Sequence, residues 1–417
     1  MSEVLFRATA EPVASRSQLL SLLSDACELE HGLLCTYLFA AFSLKQDLSE
    51  GGMTWQQQQK VRSWASQLYA IAAEEMLHLA QVWNLLAAIG GMPYYQRPRF
   101  PQPATYYAMN LPLKLAPFGA DCLKRFIMYE LPAHVSPEDV AQTLGLPKDQ
   151  SPTSQDVTVG ELYGQILSGF QTIPEAQLFV GNDDRQIGQD VVDFPDLIKV
   201  ADRKTAAAAI QMIVGQGEGT SREDMNCHYG LFLRVLAEFE AEVAASDDAF
   251  APVRIVAENP TTRVEGFEAE YGVSLIEDPY THRVAAHFNE VYGLAMRMLQ
   301  FTFSSTEVGD VAKSFASVAI VVMATVLKPI GEALMLLPLR AGSRLRAGPE
   351  FGLTRHVALP TDADVAMQLV RERLEELTQA ARALAAEEHA PSQMANAARN
   401  LERYAAGLRL APVQHGS

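Results

Sequence analysis

Basic charge is scarce in this chain. Its 417 residues carry 33 Lys and Arg against 50 Asp and Glu, a net charge of −17. Binding to duplex DNA needs a basic face that neutralises phosphates, and binding to anionic membranes needs the same, so neither partner is expected. Cysteine is sparse too. Cys27, Cys35, Cys122 and Cys227 form no CxxC pair and no dense framework, which points to reduced thiols and a cytoplasmic location. There is no CxxCH for covalent haem, no GxGxxG at a strand-to-helix turn, no GxxxxGK[ST] and no GxSxG. Covalent haem is thereby excluded, nucleotide cofactors are not indicated, and serine hydrolysis is not expected. Long apolar runs are also missing. The uncharged stretch 314–327 falls short of the roughly 20 residues of a membrane span. The opening MSEVLFRATAEP has no basic segment followed by an apolar one, so no signal peptide is expected.

Apolar residues make up 48% of the chain and charged ones 20%, which excludes disorder and allows sizeable cores. The pattern is helical. Leu23, Ala26, Cys27, Glu30, Leu34, Tyr37 and Ala41 recur at a 3.6-residue period and predict a helix over about 17–45. A second helix starts at the capping-box pair Thr54 and Gln57 and stops at Gly90-Gly91 before Pro93. The turn-like DLSEGG between them predicts an antiparallel hairpin.

Residues 93–200 then hold 12 of the 22 prolines and read as a long insertion, with short helices starting near Ser136 and Thr158. Long helices resume over 202–217 and 221–245, so the bundle is discontinuous, with two helices on each side of the insertion. Further helices are expected at about 282–304, 310–337, 361–387 and 392–406. The expected division is a bundle over 1–245 and a helical extension over 246–417.

The informative side chains are acids and imidazoles on apolar helix faces, where an unpartnered charge is costly. Glu30 shares its face with Leu23, Leu34 and Tyr37, whereas Glu28 lies nearly opposite. Glu75-Met-Leu-His78 puts a carboxylate and an imidazole one turn apart on the face of Leu68, Ile71 and Val82, and Glu74 should face outward. Glu218 sits between Gly217 and Gly219 at a helix C-terminus, where the dipole disfavours an acid. His228 lies among Leu231, Phe232 and Val235.

Each of these has an ordinary structural explanation. In order, however, Glu, Glu-x-x-His, Glu and His approach the dimetal pattern in which two helices carry Glu and two carry Glu-x-x-His. Carboxylates with imidazoles suit iron or manganese. The residue three before His228 is Met225, not Glu. Asp224 is an alternative ligand, although Ser221 and Asp224 also form a capping box. One metal, two metals or a degenerate site all stay open. Tyr37, two turns from Glu30, is placed either in the core or beside the centre as a catalytic hydrogen-bond or electron-transfer residue. His287-x-x-Glu290 is a weaker ligand pair. Trp55, Trp64 and Trp83 read as packing or rim residues.

The segments ELEHGLLCTYLFAAFSLK and YAIAAEEMLHLAQVWNLLAAIGGMP, with TVGELYGQIL, GQGEGTS and the helix near His228, resemble the ferritin-like iminophenyl-pyruvate dimer synthase domain, over about residues 15–245. That domain is found in chromopyrrolate-type synthases of the violacein and rebeccamycin pathways. The resemblance implies an all-α, ferritin-like four-helix bundle with a long Pro-rich insertion and an additional C-terminal helical region. It implies Glu30, Glu75, His78, Glu218 and His228 as metal ligands. The chain departs from the family at Leu34-Cys35-Thr36, where the first helix commonly carries a proline pair, and at Met225.

The leading expectation is an enzyme: a non-haem oxidoreductase with one or two iron ions, or manganese, that uses dioxygen or peroxide. Its substrate would be a small aromatic or amino-acid-derived molecule, with Tyr94, Tyr95, Tyr106 and Tyr107 of the insertion building the entrance. A homo-oligomer is compatible with this. The alternatives are an iron-handling protein and an interaction protein with a decayed site. Met225 is the best ground for the last.

Overall fold

The computed structural model describes residues 13–102, 111–147, 158–220, 224–246, 249–263, 272–305, 309–353 and 357–408. Tyr106, Tyr107 and Ser221 lie outside them.

Helix α1 (Arg16–Ser43) begins at a capping box in which the Ser15 hydroxyl accepts from the Gln18 amide and the Gln18 side chain accepts from the Ser15 amide. Helix α2 (Trp55–Ala88) begins at the expected Thr54–Gln57 box. Its chain then turns away at Gly90, whose φ of +79° is in the left-handed region. The two helices form the hairpin read from the sequence.

The insertion is mainly short helices: α3 (Ala120–Tyr129), α4 (Pro137–Thr143), α5 (Val159–Thr172) and α6 (Glu175–Leu178). Both expected starts are present, at Ser136 and at the Thr158–Glu161 box. Helix α7 (Arg203–Gly217) follows an Asp202 cap, and α8 (His228–Ala245) follows Cys227. The start of α8 corrects the sequence reading, which began this helix at 221. Met225 therefore lies before the helix, 44% exposed, and holds no position on its inner face.

Helix α9 (Pro279–Ser304) opens the C-terminal part. Helix α10 (Asp310–Val322) runs through a π-helical turn (Met323–Leu327) into α11 (Lys328–Leu334), and α12 (Ala363–Ala385) pairs with α13 (Ser392–Gly407). A two-residue parallel pair, Pro260–Thr261 with Ser274–Leu275, forms the single sheet among the described residues, beside a few isolated bridges.

The hairpin sits in the middle of the molecule. On one side α5 packs on α1, while α7 and α8 pack on α2 and α3 packs on α8. On the other side α9 packs on α2 and α11 on α1, with α12 and α13 outside them. This is why α1 is buried on every side from Leu29 to Tyr37, although its sequence was read as a single inward stripe. One apolar core runs from Val13 to Leu408 through all these layers. The segment Asp310–Leu334 is long and apolar enough to cross a membrane, with a mean hydropathy of 1.8 in its most apolar window. Here it packs against α9, burying Phe315, Ala319 and Val322.

Candidate metal centre

Two triads of buried acids and imidazoles meet beside the hairpin: Glu30, Glu75 and His78, and Glu75, Glu130 and His228. In each, one ligand atom per residue lies within 4.8 Å of the others. Glu75 belongs to both. Its Oε2 lies 3.1 Å from Nδ1 of His78, and its Oε1 lies 3.0 Å from Nδ1 of His228. Glu30 approaches His78 Nδ1 at 3.7 Å, and Glu130 approaches His228 Nδ1 at the same distance.

The outer atoms follow the same plan in both halves. His78 Nε2 donates to Gln216 Oε1 at 2.9 Å, and His228 Nε2 donates to Glu74 Oε2 at 2.7 Å. Each imidazole thus turns Nδ1 inward, the arrangement by which outer partners set a ligand's tautomer. Tyr163 donates a short hydrogen bond to Glu30 Oε1, and Tyr37 donates to Glu130 Oε1 at 2.5 Å.

Glu130 was missed in the sequence. It caps the C-terminus of α3, within the Pro-rich insertion, so no apolar helical stripe marks it. Gly217 packs closely beside it: a Cβ there would stand 3.0 Å from Glu130 Oε2, tighter than an ordinary contact.

Glu218 borders the same small void as Glu30, Glu75, His78 and Glu130 but is in neither triad. Its Oε2 accepts from the Ala133 amide at 3.0 Å, and its buried Oε1 has no hydrogen-bond partner of good geometry among the described residues. The carboxylate lies over Gly160, where a Cβ would meet Oε1 at 2.1 Å. Asp224 is not brought to the centre. Its exposed carboxylate is taken up by the Thr220 amide and hydroxyl and the Asn226 amide, a local turn. Glu74, expected to face outward, is 43% exposed yet reaches His228. Tyr94 and Tyr95 do not line the void; Val159, Gly160 and Tyr163 do, from α5. His287 and Glu290 enter neither triad. His287 is buried, and Glu290 pairs with Arg373.

The electrostatics show what the cluster requires. Burial alone would make His78 harder to protonate, but Glu75 and Glu30 outweigh it and push its pKa up to about 10. His228 is likewise raised by Glu130, Glu74 and Glu75 against its burial. Burial, then the Glu75 charge, push Glu30 up to about 7. Glu75 is also opposed by burial and by Glu130, yet the two imidazoles hold it below the usual carboxylate range. Tyr37 and Tyr163 are raised by burial and the neighbouring acids and stay phenols, able to donate.

A metal pair fits these residues. His228 Nδ1 is buried with no hydrogen-bond partner of good geometry, although two carboxylates face it. The two triads bring together three carboxylates and two imidazoles with no thiolate among them, and Glu30, Glu75, His78 and Glu130 line a void of about 10 Å³.

The fold and cluster together define a helical bundle with a carboxylate–histidine centre in which one glutamate spans two three-residue sites. The ferritin-like family profile matches residues 23–237, and the chain belongs to that family. It is 26% identical over 405 residues to dichlorochromopyrrolate synthase of Lentzea aerocolonigenes, covering 90% of this chain and 40% of the relative. It is 26% identical over 363 residues to 2-imino-3-(indol-3-yl)propanoate dimerase of Chromobacterium violaceum, covering 81% and 34%. The expected resemblance to these synthases holds, and the chain spans well under half their length. A ferritin-like protein of Caulobacter vibrioides matches the fold at 17% identity with a TM-score of 0.51, over 82% of this chain and all of that one.

Proposed function

We propose that this chain is a metal-dependent oxidoreductase whose centre is held by Glu30, Glu75, His78, Glu130 and His228. Its substrate would be a small aromatic or amino-acid-derived molecule from natural-product biosynthesis. The carrying observation is the bridging position of Glu75, with one carboxylate oxygen toward each triad. An iron pair, or manganese, would supply redox capacity and open positions for dioxygen or peroxide. Glu130 takes the place for which Met225 was read as a gap, so the ground for a decayed site weakens.

The chain's own residues do the positioning. Gln216 and Glu74 keep the imidazole Nδ1 atoms directed inward, while Tyr163 and Tyr37 hold the outer oxygens of Glu30 and Glu130. Tyr37 is thus a positioning residue, acting through Glu130. Glu218 is a further carboxylate at the edge of the void, held by the backbone of Ala133 and Gly160. The void is water-sized and the acids and imidazoles around it are buried, which suits a small oxidant. Residues 1–245 supply the centre and residues 246–417 are the extension packed on it. The names of the synthase relatives support an enzymatic role and an indole-type substrate.

The test is metal analysis of protein expressed with iron, followed by oxygen uptake with 2-imino-3-(indol-3-yl)propanoate generated in place. About two ions per chain and metal-dependent uptake are expected. A metal-free protein after iron loading would overturn the reading.

A further inference from the structure

A second cavity has no part in this centre. It lies between another face of the α1–α2 hairpin and the helices α9 to α11, and its volume is about 320 Å³. Folded interiors rarely hold voids larger than a water molecule. This one is roughly twice the 150 Å³ apolar cavity that stays dry and takes up benzene. It also falls within the usual range for ligand pockets, about 300–1,000 Å³.

The lining is apolar and rich in rings. Phe42, Trp83, Phe288 and Tyr292 contribute faces and edges, and Met76 and Met296 add thioethers. Such groups favour flat aromatic molecules through edge-to-face and sulfur–ring contacts. Ile320, Met323, Ala324 and Leu327 wall the opposite side. Three of these belong to the π-helical turn, a feature often found at functional sites. Only 39% of the most apolar window of that long helix is buried, so much of its apolar surface meets the cavity or solvent rather than the core.

The rim decides the ligand's charge. Ala73 of α2 and Ala324 of the π turn are both exposed at the lining and set no long side chain across the mouth. Lys328, the one charged residue of the lining among the described residues, is already engaged. Its ammonium pairs with Glu332 at 2.7 Å and lies 4.7 Å from the centre of the Tyr69 ring, and Tyr69 donates to Glu332. An anionic head group would have to displace Glu332, so a fatty acid is a poor match.

We propose that this cavity binds an uncharged, flat aromatic molecule of two or three fused rings, independently of the metal centre. The test titrates full-length protein with 1-aminoanthracene, read by its fluorescence, and then displaces the probe with carbazole or palmitate. One saturable site per chain is expected, with carbazole displacing the probe at tenfold lower concentration than palmitate. Ala80→Phe and Ala324→Phe, both filling the lining, should each weaken probe binding at least tenfold with metal content unchanged. If one fails to fold, the other carries the comparison. Wild-type protein treated with a chelator should bind the probe as untreated protein does. Absent or unsaturable binding, unchanged affinity in the filled variants, preferential displacement by palmitate, or loss of the probe site on chelator treatment with the fold intact by circular dichroism would each overturn the proposal.

Discussion

Replacing Glu75 by alanine separates a bridged centre from two independent sites. Glu75 is the one residue of both triads, so Glu75→Ala should empty both, whereas Glu30→Gln or Glu130→Gln should each remove about one ion. The metal-free protein provides a second measure. Without Glu75, His78 and His228 lose the carboxylate oxygens 3.1 and 3.0 Å from their Nδ1 atoms. Breaking a buried pair by removing one partner costs about 3–5 kcal/mol. Release of the proton from an abandoned imidazole sets the ceiling, because a neutral ring needs no counter-charge. The pH dependence follows from the sign of the shift. The folded pKa of His78 is about 10, above its ordinary 6.5, so its pairing stabilises fully below about pH 6.5 and fades as pH rises through 10. Metal-free Glu75→Ala should therefore be destabilised most at pH 6. At pH 10.5 the difference should vanish or reverse, since Glu75 then chiefly repels Glu30 and Glu130. Urea unfolding followed by the fluorescence of buried Trp64 and Trp83 reads this directly. One tightly held ion in Glu75→Ala, or equal destabilisation at both pH values, would refute the bridge.

The other predictions use the same geometry. Met225→Glu and Asp224→Asn should leave metal content unchanged, because Met225 is exposed before α8 and Asp224 is engaged in a turn; altered stoichiometry by elemental analysis would contradict this. Glu74→Ala and Gln216→Ala should each weaken one ion by about 10–100-fold, the usual effect of losing an outer partner, and a chelator competition assay measures it. Loading metal at pH 7 should release protons, because His78 and His228 are then protonated and Glu30 partly so; calorimetry in buffers of different ionisation enthalpy counts them. Affinity should accordingly fall as pH is lowered, and a pH-independent affinity would mean that these imidazoles are not ligands.

Much of this protein could be read without coordinates because the signals are local. Capping boxes at Thr54 and Thr158 need only residues three apart, and the inward turn of Glu30, Glu75 and His78 follows from helical period alone. The reading failed where position depends on chain not adjacent in sequence. Helix α8 starts at His228 and not at 221, so the search for a ligand three residues earlier was made on the wrong element. The acid that faces His228 is instead Glu130, at the end of a ten-residue helix, about 100 residues away in the chain. Nothing local marks a helix cap as an inner-facing acid; only the packing of α3 on α8, with Gly217 close beside it, brings it to His228. Glu74 shows the same limit. Its phase does point it outward, but a half-exposed acid can still reach a neighbouring helix, and the lateral spacing of α2 and α8 is a tertiary quantity. Periodicity determines which way a side chain leaves its own helix, whereas what it meets there depends on the distance and angle of the next element.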